Sequence, residues 1–222
     1  MTPRTVQRLQ AAASVALLLL WMAASHLGSL GVGNADLNVA VALAPVLAAL
    51  GLLLWRQCAV WVLALVGVAV AAVLVWLWPL CRSNVAALYY LQHLGIHLML
   101  AVVFGKSLRG PGDALVTSMA RFIFPDELSA RNVRYTRGVT LAWTLFFCAN
   151  ALVSTVLFWW APTEVWSFHA NLMTGPLVGL MFLCEHLVRY RFLPPHERPS
   201  LAMVARAWRA KEKNLHQPGT TP

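Results

Sequence analysis

Acidic side chains are scarce in this chain. Its 222 residues hold 8 Asp and Glu against 17 Lys and Arg, and charged residues of either sign make up only 11%. A water-soluble domain of this length needs a charged skin that such a composition cannot supply, so that class is excluded. The few acids are scattered, with no DxxD-type cluster for metal-assisted phosphoryl transfer, and there is no GxSxG, GxxxxGK[ST] or HExxH. Cysteine is sparse too. Cys58, Cys81, Cys148 and Cys184 show no CxxC or other metal-ligand spacing, and Cys148 and Cys184 fall inside apolar runs. Neither a disulfide framework nor a metal site is expected from them, and no cofactor motif is present. A period-two alternation is missing, which excludes a membrane β-barrel. So is the regular Arg ladder of a voltage sensor.

What the chain has in abundance is apolar length. Hydrophobic residues are 59% of the total, and the mean hydropathy is +0.66. They fall in runs at 11–30, 39–55, 59–78, 85–104, 139–160 and 165–188. Each is close to the ~20 residues that cross a hydrocarbon core of about 30 Å. The expected class is therefore all-α: a polytopic helical membrane protein, one integral domain over 1–222 with six transmembrane helices. For the first run a cleaved signal peptide ending near Ala23 and Ser25 is the competing reading, but the apolar stretch continues past that point for a full span. Pro45 is expected to bend the second span and Gly175-Pro176 to kink the sixth. A turn is expected at 31–38, carrying Asp36, and another at 79–84, carrying Arg82. Spans two and three, separated only by Arg56, Gln57 and Cys58, should pack as an antiparallel hairpin.

Basic residues supply the orientation. With six spans, both termini, the second connection, the loop 105–138 and the tail 189–222 share one side. That side holds 16 of the 17 Lys and Arg, with Arg82 alone opposite. The positive-inside rule makes it cytoplasmic, giving an N-in/C-in protein. Tryptophan agrees, with Trp76, Trp78, Trp159, Trp160 and Trp166 expected at the outer boundary and Trp55, Trp61 and Trp208 at the inner one. A net charge of +9 would raise nucleic acid in a soluble protein. Here no nucleic-acid motif is present, and anionic headgroups are the simpler partner.

The loop is the one long polar interval, and it holds Lys106, Arg109, Arg121, Arg131, Arg134 and Arg137. Within it Leu115, Met119, Phe122 and Ile123 share a helical face, with Asp113 placed to cap the helix and Pro125 to end it. Asp126 can cap the next helix, and Glu127 pairs with Arg131 at i, i+4. In the tail Leu201, Val204 and Trp208 share another face backed by Arg206 and Arg209. These are two expected interfacial amphipathic helices on the cytoplasmic side.

Polar residues inside spans are costly and face other helices or a wet cavity. Gln92, His93 and His97 lie on the fourth span, Asn150 on the fifth, and His169, Asn171 and Glu185 on the sixth. His93 and His97 project from one face, four residues apart. They are the candidates for a base in acyl transfer, weighed against plain interhelical hydrogen bonding worth about 0.6–2 kcal/mol per contact. Haem would need two His at matched depth on facing helices, a match that His26 and His169 could make. Glu185 has Arg189 at i+4 and Arg137 at a similar depth. The pair is either a local ion pair that snorkels outward or the rim of a pocket in which arginines hold an anion. Arg121, Arg131, Arg134, Arg137, Arg189 and Arg191 are the candidate anion-binding or partner-binding set.

A wider pattern runs through the second half. Phe104-Gly105-Lys106-Ser107-Leu108 closes the fourth span. Tyr135-Thr136-Arg137 precedes Val139-Thr140, Trp143 and Phe146-Phe147. Trp166, Phe168, Asn171, Pro176-Leu177, Phe182, Glu185, Arg189, Arg191 and Pro194 follow. Over about residues 100 to 209 the chain resembles a family of poorly characterised bacterial inner-membrane proteins associated with aryl-polyene or xanthomonadin-type pigment and lipid biosynthesis. Some members are labelled ketosynthase. This chain has no soluble thiolase-like domain and no activated Cys with paired His, so no catalytic residue is carried over. The resemblance implies a setting beside acyl-chain or pigment assembly. The concentration of arginines on one side, beside two amphipathic helices, adds the expectation of an accessory role in which that basic face docks an acidic partner, an acyl carrier protein or biosynthetic enzyme. The alternatives from other classes are a small lipid or pigment transporter, for which six spans are few without a homo-oligomer, and an intramembrane acyltransferase using His93 or His97.

Overall fold

The structure is a computed structural model and describes residues 3–55, 57–124, 128–198 and Met203. The described residues are helical with no strand. The order is α1 (Pro3–Ser29), α2 (Ala35–Trp55), α3 (Val60–Ser83), α4 (Val85–Arg109), α5 (Leu115–Ile123), α6 (Ala130–Trp160) and α7 (Thr163–Ser167). A π-helical turn (Phe168–Met173), α8 (Thr174–Phe192) and a 3₁₀ turn (Pro195–Glu197) follow. Six of these helical runs are long and apolar enough to cross a membrane, the last being Thr163–Phe192 taken whole. The chain is thus a multi-pass helical membrane protein by length and composition. Its outward-facing side chains agree: Leu52, Val60, Val75 and Trp76 are each at least 70% exposed, an apolar surface suited to lipid.

Helix ends differ from the apolar runs for local reasons. The third helix does not stop at Trp78 but carries Pro79 inside it and ends at Ser83, so the expected turn at 79–84 shrinks to Asn84. Asn34, not a later residue, starts α2, its Oδ1 accepting from the N–H groups of Asp36 (2.8 Å) and Leu37 (3.2 Å) as an N-cap does. Gly31 and Gly33 before it take φ of 74° and 88°, open to glycine at no steric cost. The helix around the fifth span begins at Ala130, nine residues before the apolar run. Its basic first turns remain helical because long cationic side chains can reach water from helix ends. In the last span the departure from α-helix precedes Gly175-Pro176. The N–H of Thr174 donates to His169 O, five residues back, the bonding of a π turn.

The described residues cluster in two units, within Met1–Ile96 with Ala151–Leu177 and within His97–Asn150 with Val178–Pro222. In the first unit α1 packs on α2 and the π turn, and α2 on α3. Its core joins Val39, Tyr89, Tyr90 and Trp166. Trp166, expected at a membrane boundary, is fully buried. Its Nε1 donates to Ser154 Oγ at 3.1 Å, and its ring sits edge-on to Phe158 with centroids 5.2 Å apart. Trp78 donates to Asp36 Oδ1 at 2.7 Å, and Arg82 lies 3.2 Å from the same oxygen. The second unit is centred on Ala101, Val139, Trp143 and Phe147.

Asp113 does not cap α5. It pairs with Arg121 instead. The orphan N–H groups of α5 go to side chains distant in sequence, Leu115 N–H to Ser107 Oγ at 3.0 Å and Val116 N–H to Thr140 Oγ1 at 3.2 Å. Thr117 Oγ1 meets Thr136 Oγ1 at 2.8 Å. The polar side of α5 therefore faces protein, while Met119 and Phe122 are exposed. Pro125, Asp126 and Glu127 lie outside the described residues, as do Leu201, Val204, Arg206, Trp208 and Arg209 of the expected tail helix.

Candidate functional site

The arginines of the second unit separate by environment. Arg131, Arg134 and Arg137 follow one another at three-residue spacing near the start of α6, which keeps them on neighbouring faces. Arg137 Nη2 donates to Leu108 O at 2.7 Å, so it ties the end of α4 and does not approach Glu185. Arg121 is committed to Asp113. Arg189 grips Glu185, Nη2 lying 2.6 Å from Oε2 and 2.7 Å from Oε1, with Nε at 3.0 Å from Oε1. Tyr135 donates to the same Oε1 at 2.8 Å. The Glu185 side chain is only 9% exposed, and the guanidinium fork and the phenol together satisfy it, as a buried carboxylate requires. Arg191 is exposed on α8. Arg131 and Arg134 are exposed and bond to no described residue.

Those two arginines stand at a groove between α6 and α8 with a volume of about 630 Å³. Its walls are Gly138, Val139 and Ala142 from α6 and Met181, Cys184 and Val188 from α8. Tyr135, Glu185 and Phe192 complete the lining. Counting charge, Arg131 and Arg134 add two positives, while Glu185 is offset by Arg189, so the groove carries a net positive end. Apolar walls with a few convergent polar groups are the usual make-up of a small-molecule site, and the volume falls in the usual range of roughly 300–1,000 Å³.

Within each unit the intramembrane polar residues have partners of their own. His93 and His97 share a helix but belong to different units. His93 Nε2 lies 3.0 Å from Thr174 Oγ1, and that hydroxyl already donates to the carbonyls of Ala170 (3.0 Å) or His169 (3.2 Å). The imidazole is therefore the donor, protonated on Nε2. Its ring meets His169, with centroids 5.9 Å apart. His97 stacks edge-on to Phe147 at 6.1 Å. Asn150 Nδ2 donates back to Phe146 O at 3.0 Å on its own helix. Gln92 is half-buried. His26, weighed as a match for His169, instead has Nδ1 at 2.8 Å from Ser167 Oγ. Asn171 Nδ2 reaches Ser167 Oγ and Ser29 Oγ, each at 3.0 Å. Among the described residues no three His, Cys, Asp or Glu side chains converge as metal ligands do.

Sequence reasoning missed Tyr135 as the third member of the Glu185 cluster and Ser167 as the centre of the His26–Asn171 network. An i, i+4 count finds Glu185–Arg189 but cannot say which residue of another helix faces it. No family model, curated protein or solved structure matches the chain.

Proposed function

We propose that the chain is an accessory protein of the bacterial inner membrane whose basic cytoplasmic face docks an acidic partner beside acyl-lipid or pigment assembly of the aryl-polyene kind. An acyl carrier protein or a biosynthetic enzyme is the partner class, with anionic lipid headgroups on the same face. The observation that supports this reading is Arg131 and Arg134, two exposed guanidiniums one helical turn apart, bonded to no described residue, while Arg121, Arg137 and Arg189 are committed to other groups. Sixteen of 17 basic residues fall on one side of a six-span, N-in/C-in topology, which favours cytoplasmic placement of that face. Exposed Met119 and Phe122 on α5 fit a helix lying in the interface with its apolar side toward lipid.

The test is affinity recovery of the tagged protein from native membranes in mild detergent, with mass spectrometry of co-purifying proteins. The docking reading expects an acidic protein in the eluate that Arg131→Glu with Arg134→Glu removes. Unchanged recovery and unchanged product level in that variant would remove it.

A second reading, acyl transfer within the membrane, draws on the His93–His169 contact. It would use as base His93, which meets His169 and Thr174, or His97. Full pathway output from His93→Gln with His97→Gln would dispose of it.

A further inference from the structure

The groove between α6 and α8 joins two features that rarely meet by accident on a lipid-facing surface. One is length. From Arg131 to Ala142 the α6 backbone rises about 16 Å at ~1.5 Å per residue, starting in the polar loop and passing Val139, where the apolar span begins. The groove therefore runs from a charged, interfacial end into the apolar part of one leaflet. The other is charge. Arg131 and Arg134 lie at three-residue separation at one end, and the single carboxylate among the described lining residues, Glu185, is already held by Arg189 and Tyr135. An anion entering there meets two available guanidiniums and a carboxylate whose charge is neutralised.

We propose that this groove is a binding site for one anionic glycerophospholipid, its phosphate held by Arg131 and Arg134 and one acyl chain lying along Gly138, Val139 and Ala142 against Met181, Cys184 and Val188. The planar guanidinium fork bonds two phosphate oxygens at once, and the order of groups along the groove matches the order of groups in the lipid. A zwitterionic lipid would bring an ammonium to the same pair of cations and lose the advantage. The proposal rests on the reading of the chain as a membrane protein with a basic face, and deepens it by naming what the α6–α8 part of that face holds.

Gly138 makes the site testable apart from partner docking. A Cβ built at Gly138 has no atom within 4 Å, so the first carbon of a larger side chain meets open space there, and the side chain beyond it would enter the groove that Gly138 lines. Gly138→Leu blocks the chain-binding wall and leaves both arginines in place. The full-length protein is reconstituted in nanodiscs of equimolar phosphatidylglycerol and phosphatidylethanolamine, released into mild detergent, and examined by native mass spectrometry. The expected result is a retained phosphatidylglycerol adduct, at least ~10-fold weaker in Arg131→Ala with Arg134→Ala and equally reduced in Gly138→Leu. Retention of both lipids alike, or an adduct that survives Gly138→Leu, overturns the lipid site. If Gly138→Leu loses lipid but still recovers the acidic protein partner, the site stands and docking is separate from it. If only Arg131→Glu with Arg134→Glu loses the partner and no variant changes lipid, the docking reading stands without the groove.

Discussion

Removing the Glu185 carboxylate should be among the costliest single changes in the second unit. Glu185→Ala deletes the acceptor of three guanidinium contacts between 2.6 and 3.0 Å and of the Tyr135 hydroxyl at 2.8 Å. What remains is a cation without its counter-charge. Breaking a buried ion pair from one side costs roughly 3–5 kcal/mol. The Arg189 side chain is 26% exposed, so it can turn its head outward, and the expected cost falls to about 2–4 kcal/mol. Tyr135 retains one bond, to the backbone oxygen of Glu185 at 3.1 Å, which survives truncation. Replacing both partners, Glu185→Leu with Arg189→Met, removes the charges together and should be nearly neutral, because the pair's attraction is offset by the desolvation of both ions. The assay is reversible unfolding in mixed micelles, followed by tryptophan fluorescence, across wild type, Glu185→Ala, the singles Glu185→Leu and Arg189→Met, and their double. A strongly destabilised single variant rescued by the second change is the expected pattern. A Glu185→Ala cost below ~0.5 kcal/mol, or a double variant as poor as the sum of the singles, would refute the reasoning.

Other changes have outcomes that the packing sets. Trp166→Ala should cost about 3–5 kcal/mol, the range for emptying a large core site, while Trp166→Phe should lose about 1 kcal/mol with the bond to Ser154, both read by the same unfolding assay. Gly28→Ala should destabilise by about 1–2 kcal/mol, because its new Cβ would meet Asn38 Oδ1 and Tyr89 Oη at 3.2 Å in a packed interior. Gly138→Leu should match or exceed wild type by up to ~1 kcal/mol, since an open helical glycine gains propensity on substitution. Thr140→Val should speed amide exchange over α5, because Val116 N–H loses its acceptor. Cys148 is exposed but lies mid-span, where hydrocarbon suppresses the thiolate that maleimide needs, so it should resist labelling in native membranes and react, with buried Cys81, only after unfolding.

Helix number and class were legible because a continuous apolar run of membrane length has few other uses. Pairings across helices were not. The burial of Trp166 was not legible, because position near a span's end is what hydropathy reports, whereas burial depends on Tyr90, Phe158 and Ser154 arriving from other helices. The i, i+4 link of Glu185 to Arg189 could be read from spacing, and the approach of Tyr135 could not. Arg137 has the right depth for Glu185, yet a nearby unsatisfied carbonyl, Leu108 O, claims it. Similarly, Asp113 has the right residue type to cap α5, but Ser107 and Thr140 occupy that role from α4 and α6.

That arrangement sets an order of events in biogenesis. α5 has nine residues, well short of the ~12–15 that hold a helix in isolation, and its first N–H groups find acceptors only on the helices before and after it. Its capped and packed form is complete only after Thr136 and Thr140 have been synthesised and brought against it. Exposed Met119 and Phe122 would then reach their final surroundings last. α5 is in effect a sensor of completed assembly, capped once α4 and α6 have met. A partner that recognises it would bind the finished protein and pass over the nascent one.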